Sequence, residues 1–333
     1  MTPFSGIVLA LLGSMNASGH ETNVDIAIVG GGPAGLSAAV WCARYLHSVA
    51  VVDSGDARNA ETLKISGYLG LDPVTPADLR CRGRETCKRL GVELIDGIVL
   101  RAEKHDDDHF LLCLEGGRRV HSRRLLLAIG LRDVWPDVPG VETIYGANAH
   151  VCPDCDGYDS RGKKVVVIGN GRRAVAMALN LSTWTRDIII CTNGRPPELD
   201  EPEYAEKLDA LNIPVITERV AQVCDEETRI RCLRFDGGME LDADKVFFAI
   251  GQYPADDLGV QLGCERDEEG HIAVDSHGHT SVRNVFAAGD VTPGPQLAIV
   301  AAADGATAAL AMHKSLVPAE RKLTPRESLA TSR

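Results

Sequence analysis

The residues of this chain best suited to chemistry are two cysteines, Cys152 and Cys155, in the segment CPDCD. A pair at this spacing can bind zinc or cycle between dithiol and disulfide. Structural zinc needs four ligands, and the sequence has no second Cys-x2-Cys pair to complete the set. Pro153, Asp154 and Asp156 indicate an exposed turn, where a cysteine can have a lowered pKa and react as the thiolate. The pair is therefore predicted to be redox-active.

A glycine-rich turn earlier in the chain predicts a dinucleotide site. GGGPAG at 30–35 fits the G-x-G-x-x-G pattern and lies between an apolar strand and an alanine-rich helical stretch. Gly30 allows the tight turn, Gly32 lets the backbone approach a pyrophosphate, and Gly35 lets helix and strand pack closely. Asp53 ends the next strand, where an acid accepts hydrogen bonds from a ribose hydroxyl.

A second glycine turn, GNGRRA, carries a mixed signal. Gly169 and Gly171 fit G-x-G-x-x-A, but an Asn-Gly pair rather than an acid follows the partner strand. Arg195 lies where it can meet a 2′-phosphate, which favours NADPH over NADH. Arg172 and Arg173 can either bind phosphate or fill the site with their bulk. A working nicotinamide site is therefore left open.

Two β-α-β units of equal length set the predicted architecture. The first runs from VDIAIVG at 24–30 to VAVVD at 49–53, and the second from KKVVVIG at 163–169 to DIIICT at 187–192. Continuous β-branched runs of this kind are typical of buried parallel strands. The fold class is predicted as α/β, with two Rossmann-like dinucleotide-binding domains of the three-layer ββα type.

Similar strand endings set the predicted domain boundaries. LLLAIG at 125–130 and VFFAIG at 246–251 each close an antiparallel meander and lead into a crossover, and VFAAGD at 285–290 returns to the first domain. The second domain is therefore expected to be inserted in the first. The expected segments are a disordered leader at 1–23, a first domain at 24–132 and 253–317, a second domain carrying the cysteine pair at 133–252, and a loose tail at 318–333.

Bulk composition narrows the function classes. The chain has 333 residues and a net charge of −12 without a basic block, which argues against nucleic acid and anionic membrane as partners. The apolar run at 6–13 is too short to cross a bilayer. Ten cysteines spread over the whole length favour a cytoplasmic location over a secreted disulfide scaffold. HDDDH at 105–109 and HGH at 277–279 are interpreted as solvated turns, and no metal site is predicted.

The order of these parts resembles the low-molecular-weight thioredoxin reductase family, over about residues 24–314. The resemblance rests on GGGPAG, CPDCD, the second glycine turn and VFAAGDVTPGPQLAIVAAADGATAA at 285–309. It implies FAD in the first domain, a nicotinamide domain and a homodimer. By the same resemblance, Asp290 bonds the flavin ribityl chain and Gln296 lies near the flavin. The other implied flavin-site positions are Pro33, Ala34, Asn59, Gly130, Gly289 and Leu297.

The resemblance also implies a division of labour at the cysteine pair. Cys155 lies nearest the flavin, Cys152 attacks the substrate disulfide, and Asp156 matches the family's proton-handling acid.

The chain departs from the family pattern in the second domain. Members active with NADPH carry G-G-G-x-S/T-A where Arg172 and Arg173 stand here, and an H-R-R after the second strand where CTNG stands at 191–194. DSGDARN at 53–59 instead looks like a subgroup that includes gliotoxin-type dithiol oxidases.

Several functions follow as hypotheses. The leading one is reduction of a thioredoxin-like protein disulfide through FAD and the cysteine pair. One alternative is oxidation of a small-molecule dithiol with oxygen as acceptor, and another is a ferredoxin-linked or otherwise NADPH-independent reductase. A non-enzymatic alternative is a redox-sensing flavoprotein.

Overall fold

The computed structural model describes residues 21–227 and 229–323. Within them the strands, in chain order, are β1 (Glu21–Val29), β2 (Val49–Asp53), β3 (Glu93–Asp96), β4 (Val99–Asp106), β5 (His109–Leu114), β6 (Arg119–Leu127), β7 (Leu131–Asp133), β8 (Ala149–His150), β9 (Val165–Gly169), β10 (Ile188–Cys191), β11 (Val215–Ile216), β12 (Val220–Glu226), β13 (Arg229–Phe235), β14 (Glu240–Asp242), β15 (Lys245–Ala249), β16 (Gln252–Pro254) and β17 (Val285–Ala287). The α-helices are α1 (Pro33–Arg44), α2 (Pro76–Arg89), α3 (Val141–Ile144), α4 (Pro153–Asp156), α5 (Gly171–Leu181), α6 (Pro202–Ala210), α7 (Leu258–Gln261) and α8 (Ala298–Leu316).

Seven of the described strands form the first sheet, in the order β3-β2-β1-β6-β5-β4, with β17 also paired to β6. β1 is parallel to both β2 and β6, so their carboxyl ends meet at one edge of the sheet. Alternate residues of β1 enter two different cores: Ile26 and Ile28 pack against α1 and α8, and Ala27 and Val29 face the opposite side. Burial on both faces explains the continuous apolar run in the sequence.

The second sheet is parallel, in the order β11-β10-β9-β15-β8. One of its faces packs on α5, and the other packs on the antiparallel sheet of β12, β13 and β14. Each β-α-β unit thus lies in a three-layer arrangement. The predicted α/β class, with two Rossmann-like units of which the second is inserted in the first, is confirmed.

A short antiparallel ladder joins the two units. β7 and β16 pair through Asp133 with Gln252 and through Arg132 with Tyr253. The two crossovers therefore run side by side, and the predicted boundaries at 132/133 and 252/253 fall within this ladder. The boundaries themselves stay a prediction.

The chain ends differ in part from expectation. Residues 1–20 lie outside the described residues, but 21–23, expected in the leader, belong to β1. The reason is that β6 begins at Arg119 and offers partners for all three, starting with Glu21. In the expected loose tail, Ala319–Arg321 form one exposed turn of 3-10 helix, and 324–333 lie outside the described residues.

No helix in the described part of the chain is both long and apolar enough to cross a membrane.

Candidate functional site

One cavity of about 1290 Å³ lies where the two units meet, and both contribute to its wall. It brings together most of the residues singled out in the sequence. Those that line it are Gly30, Gly32, Pro33, Ala34, Asp53, Asn59, Gly130, Cys152, Cys155, Asp156, Gly289, Asp290, Gln296 and Leu297. Gly35 and the five candidate NADPH residues do not line this cavity.

The first glycine turn leaves room for a ligand at one position. Gly32 is the N-cap of α1 and has extended backbone, and a Cβ added there meets no atom within 4 Å. Having no side chain, Gly32 cannot cap the N–H groups of the first turn of α1, which point out of the helix end. A Cβ on Gly35 would clash with the carbonyl of Gly30, so Gly35 is needed for packing. The turn has the form of a pyrophosphate cradle.

Asp53 lies beside this turn at the end of β2. Its carboxylate accepts hydrogen bonds from Arg80 Nη2 at 2.5 Å and from Gly55 N at 3.2 Å, and Arg84 Nη1 lies 3.4 Å away. Burial alone would raise the pKa of Asp53, but the bonds from Arg80 and from backbone N–H groups outweigh it and hold the pKa below its ordinary value. The carboxylate is therefore charged, and Asp53 lines the cavity.

Arg58 links the cavity wall to the ladder between the units. Its guanidinium contacts Asp290 Oδ2 at 3.0 Å and Gln296 Oε1 at 2.7 Å on one side. On the other side it contacts Asp133 Oδ1 at 2.5 Å and Gln252 Oε1 at 3.1 Å. Burial lowers the pKa of Arg58, but its bonds to the carboxylates of Asp133 and Asp290 more than offset this and raise the pKa overall.

The cysteine pair forms a disulfide that faces the same cavity. Cys152 is the N-cap of α4, and its Sγ accepts a hydrogen bond from the backbone N of Cys155 at 3.2 Å. Both cysteines are half-buried. After reduction, an N–H bond of this kind favours the thiolate at Cys152.

A chain of ionisable groups lies behind the disulfide. Asp156 Oδ1 is 3.3 Å from Nδ1 of the buried His150, and His150 Nε2 is 2.8 Å from Nζ of the buried Lys245. Asp156, the acid implied by the family resemblance, thus has specific partners in the second unit. Sequence reasoning named neither partner.

The second glycine turn is closed by Asn170 and by the loop that follows β10. Asn170 is the N-cap of α5, and its Oδ1 accepts from the N–H groups of Gly171 and Glu198, both at 3.0 Å. Its Nδ2 donates to the carbonyl of Pro196 at 2.8 Å. A Cβ on Gly171 would lie 3.0 Å from Glu198 Oε2, so a carboxylate sits against this turn. An anionic pyrophosphate would have to displace both the amide cap and the carboxylate.

The three arginines proposed for NADPH have different surroundings in the structure. Arg173 Nη1 donates to the carbonyl of Ile250 at 3.3 Å and covers Gly251. Arg172 is exposed and lies near Glu203 of α6. Arg195 is exposed, and its carbonyl is held by Thr192 Oγ1 at 2.5 Å. None of the three contacts Gly169 or Gly171 through a hydrogen bond in the described residues.

Both histidine-rich segments lie in turns. His109 Nδ1 is 2.9 Å from Asp106 in the hairpin between β4 and β5, and His279 Nδ1 is 3.0 Å from Asp275 in the turn before β17. In each case the histidine and its acid close the same turn.

Comparison with known proteins decides the family. The model of the pyridine nucleotide-disulphide oxidoreductase family matches residues 24–305. The chain belongs to this family. It is a flavin-dependent disulfide oxidoreductase, and the predicted resemblance to thioredoxin reductases is confirmed.

Individual relatives agree with that placement. The chain is 33% identical over 282 residues to thioredoxin reductase tcpT of Claviceps purpurea, a match that covers 80% of this chain and 86% of that protein. It is 27% identical to thioredoxin reductase of Helicobacter pylori, covering 87% and 97% of the two chains. The crystal structure of HlmI superposes with a TM-score of 0.83 at 34% identity, covering 88% and 92%. Some longer relatives are covered over only 63% or 58% of their own length.

Sequence reasoning missed several residues that shape the site. Arg58 lies within DSGDARN and His150 two residues before Cys152, so both were visible next to motifs. Lys245 shows a weaker signal: it is a charge at the start of an otherwise apolar strand. Glu198 gave no signal, because its position against Gly171 depends on how the loop after β10 folds back.

Proposed function

We propose that this protein oxidises a small-molecule dithiol to a disulfide, with FAD carrying the electrons from the cysteine pair to oxygen. The observation that carries the proposal is that the Cys152–Cys155 disulfide and the open glycine turn at Gly32 line one cavity. A disulfide and a dinucleotide cradle that share a cavity support direct electron exchange between the pair and a bound flavin.

The residues of the first unit fit FAD. Gly32 presents open space and uncapped N–H groups where a pyrophosphate needs them. Asp53 offers a charged carboxylate for the adenosine ribose, and Asp290 and Gln296 lie in the same cavity for the ribityl chain and ring. The dinucleotide pattern favours FAD over FMN. When bound, FAD takes two electrons from a dithiol and passes them to oxygen, yielding hydrogen peroxide.

The second unit supports the direction of electron flow. Its glycine turn is capped by Asn170 and faced by the carboxylate of Glu198. The negative charge of Glu198 repels a pyrophosphate, and the N–H group already bound by Asn170 is not free to donate to it. A chain that takes electrons from a dithiol does not need a nicotinamide nucleotide there.

Cys152, Cys155 and Asp156 have different roles in the thiol–disulfide exchange. A substrate thiolate attacks Sγ of Cys152, forms a mixed disulfide and displaces Cys155 as a thiolate. The second substrate thiol gives its proton to Asp156 and attacks the mixed disulfide, so the substrate leaves oxidised. The Cys152 thiolate then takes the proton from Asp156. The assignment of Cys155 to the flavin side rests on the family resemblance.

A second candidate is reduction of a thioredoxin-like protein disulfide, the leading hypothesis from the sequence. It is favoured by the likeness to proteins named thioredoxin reductase and runs the same exchange in reverse. The closed second turn counts against NADPH as its donor. In either case we expect a homodimer in the cytoplasm.

Turnover in air separates the proposal from its rivals. With dithiothreitol as probe, the FAD-loaded protein should form oxidised dithiothreitol and hydrogen peroxide in equal amounts. Cys152→Ser should abolish both, whereas Cys81→Ser, at an exposed free cysteine, should change neither. No peroxide from the native protein, or turnover that survives Cys152→Ser, would overturn the proposal.

A further inference from the structure

Three ionisable residues from three separate elements form a line behind the reactive disulfide. Lys245 is the first residue of β15, His150 ends β8, and Asp156 ends α4. β8 and β15 are parallel neighbours, with His150 paired to Phe247. Lys245 Nζ lies 2.8 Å from His150 Nε2, and His150 Nδ1 lies 3.3 Å from Asp156 Oδ1.

The hydrogen bonds of Lys245 determine which ring nitrogen of His150 carries the proton. An ammonium group has donors only, and that of Lys245 donates to the carbonyl of Ala147 at 2.7 Å and to His150 Nε2. Nε2 must therefore accept, and the proton of the neutral imidazole is on Nδ1, the atom that faces Asp156. The ring of Phe247, with its centroid 5.4 Å from that of His150, restricts rotation of the imidazole.

Burial separates the line from solvent except at its end. The His150 side chain is 5% exposed and that of Asp156 17%, while Lys245 is buried. Asp156 and His150 line the cavity of the disulfide, and Lys245 does not. Burying ionisable groups is costly unless they are paired, and this set meets the cavity of the disulfide through His150 and Asp156.

Other charges surround the line. Burial lowers the pKa of Lys245 and the positive charge of Lys163 adds to this effect, while carboxylates nearby oppose it. The titratable groups that face the line from neighbouring elements are Lys64, Tyr145, Asp159 and Lys163.

We propose that Lys245 and His150 are positioning residues for the disulfide exchange: Lys245 fixes the imidazole tautomer, and His150 orients the Asp156 carboxylate that carries the proton. The inference rests on the proposed function, in which Asp156 takes a proton from the second substrate thiol and returns it to the Cys152 thiolate. No electrons pass through the line, and neither Lys245 nor His150 gains or loses a proton over the cycle.

The role predicts a pH signature. His150 Nδ1 lies 3.3 Å from Asp156 Oδ1, so a substitution of His150 removes the group that holds this carboxylate in place. In His150→Gln and Lys245→Met, the acidic limb of the exchange rate should move to higher pH, and the plateau should fall about tenfold. Lys245→Arg keeps a permanent cation and should recover most of the rate. A loss that is uniform at every pH, with no recovery in Lys245→Arg, would show a structural role only.

A double-mutant cycle gives the sharper test. Anaerobic reduction of the FAD-loaded protein by dithiothreitol is followed by flavin absorbance in the native protein, Asp156→Asn, Lys245→Met and the double variant. Because Lys245 acts through Asp156, Lys245→Met should slow the reaction in the native background and cause no further loss beside Asp156→Asn. Equal losses in both backgrounds would overturn the inference.

Control variants distinguish failure of this inference from failure of the proposed function. Lys164→Met removes another lysine from the same region that does not contact His150, and should leave the rate unchanged. If Lys245→Met does not give folded protein, His150→Gln replaces it in the cycle with the same expectation. If the native protein itself does not exchange electrons with the dithiol, the proposed function fails; if it does and the variants act independently of Asp156, only the present inference fails.

Discussion

At the scale of single residues, the two cysteines have different neighbours although they share one bond. Cys152 caps α4 and receives the N–H of Cys155, which favours a thiolate able to attack or leave. Cys155 is followed directly by Asp156, whose Oδ1 lies 3.3 Å from His150 Nδ1. These differences, with the family resemblance, support the proposed roles: interchange with substrate at Cys152 and contact with flavin at Cys155.

Single serine variants separate those roles. In Cys152→Ser, the remaining Cys155 thiolate should lie against the flavin and give a long-wavelength charge-transfer band, because donor and acceptor are in contact. Cys155→Ser should lack the band. Absorbance spectra of the two FAD-loaded variants across pH measure this. A band in Cys155→Ser that is absent from Cys152→Ser would reverse the assignment.

The sequence was informative at this scale wherever a residue type and its spacing carry a mechanism. The Cys-x2-Cys pair and Asp53 were found in this way, and Asp290 was found through the family resemblance. All of them line one cavity. Arg58, Lys245 and Glu198 were not found, because each acts through a contact with residues far along the chain. Arg58, for example, meets Asp290 across 232 positions, and no local pattern encodes such a contact.

At the scale of elements, the two helix–turn units differ in what occupies the helix start. α1 begins at a glycine with no side chain, and α5 begins at an asparagine whose amide already accepts the first N–H. The sequence predicted both turns but treated the second as undecided. The deciding feature, the loop of 196–198 folded back on Asn170, depends on tertiary structure.

Alanine at two glycines should separate ligand binding from folding. Gly32→Ala fills the open space of the cradle at a backbone conformation that alanine tolerates, so FAD affinity should fall at least about tenfold while the apoprotein keeps its unfolding temperature. Gly35→Ala pushes a methyl against the Gly30 carbonyl and should destabilise the apoprotein by about 1–3 kcal/mol. Flavin retention and thermal unfolding measure the two effects. Unchanged FAD affinity in Gly32→Ala would show that the pyrophosphate does not bind at this turn.

Removing the carboxylate at the second turn should improve nucleotide access. The native protein should be reduced slowly by NADPH, and Glu198→Gln should increase the apparent NADPH affinity about tenfold, since a like charge near a phosphate is lost. Glu206→Gln, at an exposed glutamate on α6, serves as the matched control. Stopped-flow flavin reduction measures the rates. Rapid, saturable reduction of the native protein at micromolar NADPH would show that the turn is open after all.

At the scale of the whole molecule, one half-buried cation, Arg58, connects the cavity wall to the ladder that joins the two units. Arg58 pairs with Asp290 on the first side and with Asp133 of β7 on the other. The Asp133 side chain is 5% exposed, so it depends on Arg58 for its charge balance. The relative placement of the two units is therefore tied to residues proposed for flavin binding.

Loss of that cation should destabilise the apoprotein strongly. Arg58→Met leaves a buried carboxylate without its partner and should cost about 3–5 kcal/mol of unfolding free energy. Adding Asp133→Asn should recover part of it, because the neutral amide no longer needs a cation. Arg101→Met, which breaks an exposed pair with Glu103, should cost less than about 1 kcal/mol. Urea unfolding gives the unfolding free energy of the native protein and the three variants. Equal losses in Arg58→Met and Arg101→Met would show that Arg58 does not connect the two units energetically.

Anaerobic titration of the FAD-loaded protein shows whether dithiol electrons reach a bound flavin through Cys152 and Cys155. We expect dithiothreitol to bleach the flavin absorbance completely, readmitted air to restore it with release of hydrogen peroxide, and Cys152→Ser to block the bleaching. A flavin that stays oxidised under excess dithiol but is bleached by stoichiometric NADPH would rule out this route.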